Sequence, residues 1–119
     1  LQTRETNDLI ASDKVEGTAV FNTAGERLRT VDHFMIDKRS GQVEYAVLAF
    51  GGLFGLGHKH YPLPWSALTY DTDRGGYVVD VTKEQLEDAP SYDAETGAPR
   101  YDRDYGEQVY SYYGLTYTL

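Results

Sequence analysis

Few residues of this 119-residue chain are of the kinds that carry out chemistry or hold a ligand. His58 and His60 stand one residue apart in a stretch that reads as a strand, so a period of two aims both imidazoles at one face. Two neutral imidazoles joined by an aspartate, or by His33 as a third ring, could hold Zn²⁺ or Ni²⁺. No spacing fixes the third ligand, and a pair of strand histidines more often simply faces solvent. His58, His60 and His33 are therefore candidates only, and no native metal or other cofactor is expected.

Two further patterns fail as catalytic or nucleotide sites. Gly52 and Gly57 are spaced as in a phosphate-binding loop, but His58 occupies the lysine position and no Ser or Thr follows. The residues between them are apolar, and no helix begins there to offer amide donors to an anion. Ser66 lies in Pro64-Trp65-Ser66-Ala67-Leu68, which lacks the glycines of a nucleophile elbow. Ser66 reads instead as the cap of a turn. Asp32, Asp37, Asp71 and Asp73 read as turn or strand-end residues that bond the local backbone. No base, nucleophile and metal set stands at a diagnostic spacing, so an enzyme is not expected.

The elements that would position these residues are short. Leu1 to Asp8 is polar and reads as a flexible N-terminus. Ala11 to Lys14 allows one helical turn, and Val15 to Phe21 reads as a strand. Leu28 to Ile36 is a second strand with a fault in its alternation: Leu28 is in phase with Phe34 and Ile36, but Val31 is not. Such a slip predicts a bulge or bend. The third strand, from Val43 to Phe50, is apolar on both faces, so its second face should be covered by the C-terminal segment or by another subunit.

Gly51 to Gly57 then carries four glycines together with Leu53, Phe54 and Leu56, which is unusually apolar for a turn. His58 to Leu63 returns as the fourth strand, and Pro62 and Pro64 place its end at an edge or bulge. Thr69–Asp71 and Tyr77–Val81 flank a turn and make the last hairpin. Thr82-Lys83-Glu84-Gln85 matches a capping box, with Val81 and Leu86 as its hydrophobic staple, so a short helix should run from Lys83 to about Asp88.

The tail holds seven of the eleven tyrosines. Tyr101, Tyr105 and Tyr112 stand with Val109 near helical spacing, as an aromatic stripe. Asp102 and Asp104 suit the start of such a helix, Gly106 weakens it by ~1 kcal/mol relative to Ala, and Gly114 could end it.

Composition narrows the partners. Acidic residues outnumber basic ones by 19 to 11, for a net charge of −8. A nucleic-acid partner is not expected, because phosphate contacts need clustered Lys and Arg. No apolar run approaches the ~20 residues of a membrane helix, so direct membrane insertion is not expected either. Cysteine is absent, which removes disulfide and thiolate chemistry. A cytoplasmic location is expected, with room left for a trimmed upstream piece because the sequence starts at Leu1 rather than Met.

Short, evenly spaced strands, one phase slip and no long helix suggest a small barrel. Asp37-x-x-x-Gly41 is followed by Val43-Glu44-Tyr45-Ala46-Val47. After it come Phe50-Gly51-Gly52-Leu53-Phe54-Gly55-Leu56-Gly57-His58-Lys59 and Pro62-Leu63-Pro64-Trp65-Ser66-Ala67-Leu68. Over roughly Leu9 to Glu87 these motifs resemble the PRC-barrel family. The resemblance implies a mainly β fold: a PRC-type barrel of about six antiparallel strands over residues 9–89, with a short helix after it. Residues 90–119 would be a linker and a Tyr-rich helical segment packed on the barrel or on a partner subunit. It also implies a bacterial domain that packs on other macromolecules, with no shared catalytic constellation.

The expectation is therefore a non-catalytic protein-interaction or adaptor module, self-associating as a homodimer, with a small-ligand or metal-binding barrel as the alternative. Leu53, Phe54, Leu56, Tyr45, Trp65, Tyr105 and Tyr112 are the interface candidates, with Trp65 first of all a core anchor.

Overall fold

The computed structural model describes residues 9–49, 59–93 and 97–118. Helix α1 (Ser12–Val15) leads into β1 (Ala19–Asn22), β2 (Arg27–Ile36), β3 (Val43–Ala49) and β4 (Lys59–Pro64). A 3₁₀ turn at Trp65–Ala67 precedes β5 (Thr69–Asp71) and β6 (Gly76–Val79). Helix α2 (Lys83–Glu87), the short β7 (Tyr92–Asp93) and α3 (Arg103–Tyr112) follow. Val15 ends α1 rather than opening a strand, so β1 starts four residues later than its apolar pattern suggested.

The turns obey local chemistry. Asp37 accepts from the backbone N–H groups of Arg39 and Ser40, and Gly41 follows at φ 75°. Asp71 accepts from those of Asp73 and Arg74 in the same way. Thr82 and Gln85 form the reciprocal capping box of α2. Leu86 then enters the core, with Val81 packed beside it.

The strands form one seven-stranded sheet in the order β5-β6-β1-β2-β3-β4-β7. The count is therefore seven rather than about six, and the pairing is not wholly antiparallel, because β6 meets β1 in the parallel sense. Strands β4 and β5 are five places apart in this order, which in a flat sheet means about 24 Å at ~4.8 Å per strand. Only Trp65 to Leu68 joins them, a link that spans less than about 20 Å even fully extended. The sheet must curl until its ends approach. Among the described residues no ladder joins β5 to β4 or β7, so the sheet is curled without being closed.

The inside of the curl is one core cluster. Val20, Leu28, Val31, Leu48, Tyr61, Leu63, Tyr77 and Val79 reach it from five strands, and Leu86 caps it from α2. The outer face of β3 has a second, smaller core made by Tyr45, Val109 and Tyr110. Both faces of β3 are thus buried, which is why Tyr45, Ala46, Val47 and Leu48 are all 2% exposed or less.

Gly76, the first residue of β6, is buried where that strand meets β1. A Cβ there would stand 2.5 Å from the Ala19 carbonyl oxygen and 3.1 Å from the Phe21 ring. The first contact is with backbone, which cannot rotate away. Gly76→Ala should cost about 2–3 kcal/mol through overpacking, read as a lower urea midpoint. Gly17→Ala tests a different cause, since its Cβ meets nothing within 4 Å and only its φ of 84° is strained. It should cost ~1 kcal/mol.

Candidate functional site

The alternation fault in β2 is a bulge. Val31 pairs with Leu48 and His33 with Val47, leaving Asp32 as the extra residue. A bulge puts two successive side chains on one side, where a regular strand would send them to opposite faces. Accordingly His33 Nδ1 lies 2.7 Å from Asp32 Oδ2. Asp32 therefore sits inside a strand rather than at a turn, and its carboxylate serves a side chain instead of the local backbone.

Across β3, His60 faces Ala49 while His33 faces Val47. These neighbours share one face by period two, and the two imidazole rings meet edge-on at 5.7 Å between centroids. Ligand atoms of Asp32, His33 and His60 all lie within 4.8 Å of one another. His58, the other expected member, lies outside the described residues.

The histidine pair is one end of an aromatic row. His60 pairs with Tyr92 across β4 and β7, ring centroids 5.6 Å apart. Tyr92 meets Tyr101, with the two hydroxyls 2.8 Å apart. Tyr101 stacks edge-on against Tyr45 at 5.1 Å, and Tyr45 against Tyr110 at 5.6 Å. Tyr110 donates its hydroxyl to the Glu44 carbonyl at 2.8 Å.

Burial pushes these phenols up: Tyr105 and Tyr110 to about 12, and Tyr45, Tyr101 and Tyr113 also well above the ordinary tyrosine value. Glu44 is raised by its own burial and by the nearby Asp37 carboxylate. None of these phenols is poised for proton transfer near neutral pH, since a neutral phenol of raised pKa neither accepts a proton readily nor releases one.

The expected interface residues divide. Tyr45 is 2% exposed and enclosed by Tyr101 and Tyr110, so its ring is used up inside the chain. Trp65 is half-buried against Phe34 and Tyr77, in the manner of a core anchor. Tyr105 packs on Tyr101 at 5.2 Å. Tyr112 is 40% exposed, its ring against Tyr113 and its hydroxyl bonded to the Gln85 carbonyl. Leu53, Phe54 and Leu56 lie outside the described residues. Ile36, which the sequence did not single out, is 49% exposed at the end of β2.

A cleft of about 210 Å³ lies between the β6–α2 link and the C-terminal residues, lined by Ala67, Val79, Asp80, Val81, Tyr113 and Leu115. It is smaller than the ~300–1,000 Å³ of most small-molecule sites. Among the described residues no helix is long and apolar enough to cross a membrane.

Sequence reasoning missed Asp32 as the companion of His33, and Tyr92 beside His60. The phase slip at Val31 was the available signal for the first. Tyr92 gave none, because its pairing to β4 is long-range.

A strongly curled β-sheet, filled from five strands and covered on its outer wall by a tyrosine-bearing helix, defines a small β-barrel-like domain. Residues 7–86, more than half of the chain, match the family model of the PRC-barrel domain, and the chain belongs to that family. No curated protein matches the chain.

Proposed function

We propose that this PRC-barrel chain is a non-catalytic protein-interaction module that associates with a second copy of itself. The observation that carries the reading is the contrast between strands β3 and β4 and the segment joining them. Tyr45 to Leu48 and Tyr61 to Pro64 are buried within the chain, with cover from β1, β2, β6 and α2 on one side and α3 on the other. The connection between these strands nevertheless carries Leu53, Phe54 and Leu56. Large apolar side chains in a connection suit a contact with another molecule. Half-exposed Ile36 adds a further apolar residue.

A two-fold dimer is the simplest closed arrangement, because one self-complementary patch suffices for both copies. The net charge of −8 disfavours a nucleic-acid partner or an anionic membrane surface.

Light scattering on the wild-type chain at hundreds of micromolar should give a dimer mass. The double variant Phe54→Glu/Leu56→Glu should give a monomer mass with an unchanged circular-dichroism spectrum. A monomer mass for the wild type, or a dimer that survives both glutamates, overturns the reading.

A further inference from the structure

We propose that Asp32, His33 and His60 form a binding site for a divalent transition cation of the zinc class. The three residues come from two strands that are not neighbours, β2 and β4, and only the bulge at Asp32 lets all three converge on the outer face. The ligand set decides the metal. Two imidazole nitrogens and one carboxylate oxygen suit Zn²⁺, Ni²⁺ or Cu²⁺, whereas Mg²⁺ and Ca²⁺ take shells of oxygen.

The geometry is close to what binding needs. Zinc holds its ligands at ~2.0–2.2 Å, which sets ligand atoms roughly 3–3.5 Å apart. The Asp32–His33 pair, at 2.7 Å, is a hydrogen bond that direct ligation by both atoms would open slightly, and the whole set lies within 4.8 Å. Small side-chain rotations close the remainder, and the side chains have room to make them: His33 is 34% and Asp32 46% exposed. Tyr92 packs edge-on against His60 and limits the directions in which that ring can turn.

Asp32 can serve in either of two ways. It ligates directly, or it holds His33 Nδ1–H and so turns Nε2 toward the metal, as carboxylate partners of metal-bound histidines commonly do. The site opens to solvent, so water completes the coordination. The overall negative charge of the chain favours cation approach.

Isothermal titration of the untagged full chain with zinc chloride tests the site. One Zn²⁺ per chain should bind, magnesium chloride should give no heat, and His33→Ala and His60→Ala should each weaken binding by about tenfold or more. Asp32→Asn should weaken it by roughly tenfold. All three side chains are at least partly exposed, so the variants should melt as the wild type does. Nuclear magnetic resonance of the wild-type chain during the same titration guards against a misfolded variant: the ring nitrogens of His33 and His60 should shift together. Zinc binding that survives His33→Ala, a wild-type chain that takes up magnesium as readily as zinc, or shifts confined to other residues would overturn the proposal.

Discussion

Between about pH 10 and 12 the protein should unfold, with tyrosinate absorbance and circular dichroism changing together. Tyr45, Tyr101, Tyr105, Tyr110 and Tyr113 are all held neutral chiefly by burial. An unfolded tyrosine ionises near pH 10, whereas Tyr105 and Tyr110 in the folded chain ionise near 12. The unfolded state therefore sheds protons first. The stability these groups contribute is fully present below about pH 10 and drains away as pH rises toward 12. Ionising Tyr110 in place, at 7% exposure, costs about 3 kcal/mol. A handful of such groups matches the whole ~5–15 kcal/mol of a domain.

The hydroxyls of Tyr105 and Tyr113 are buried without a hydrogen-bond partner. Replacing both by Phe should therefore cost nothing at neutral pH, or add about 1 kcal/mol, and should move the alkaline transition upward. Tyrosines that titrate near pH 10 while the ellipticity holds would contradict this account.

Val109→Asp should lower stability by about 3 kcal/mol or more and make the protein aggregate. Val109 is fully buried and packs with Tyr45 and Tyr110 between α3 and the outer face of β3. The aromatic and aliphatic side chains it packs with offer a carboxylate no compensating charge. The chain relieves the buried charge by releasing α3, which uncovers Tyr45 and Met35. Gln108→Asp is the control: Gln108 is exposed on the same helix, so the same charge should change stability by no more than about 0.5 kcal/mol. Urea midpoints measure both. Equal midpoints for the two variants would mean that α3 does not hold the outer face.

The tail shows where a helical pattern misleads. Tyr112 read as part of the apolar stripe, yet the buried face is Gly106, Val109 and Tyr110, with Tyr112 on the exposed side. Gly106 read as a weak point in the helix. It is instead the place where the Tyr117 ring crosses α3, and a Cβ there would stand 2.5 Å from that ring. Neither fact could be read locally, because Tyr117 reaches Gly106 only after the chain reverses at Gly114. There the Leu115 N–H returns to the Tyr110 carbonyl and the Gly114 N–H to that of Ser111. Asp32 differs from these: it read as a turn or strand-end residue, but the bulge in β2 turns its carboxylate onto the imidazole of His33, the next residue.

The sequence alone determined what depends on a few adjacent residues. The Asp37 and Asp71 turns, the Thr82 capping box, the slip in β2 and the two-sided burial of β3 are all consequences of backbone bonding or of period-two alternation within one segment. Tertiary structure decided the parallel meeting of β6 with β1, the curl that brings β4 and β5 together, and the gathering of Asp32 and His33 with His60. These depend on hydrogen-bond ladders and packing between segments tens of residues apart, and no local pattern encodes which distant edge a strand will choose.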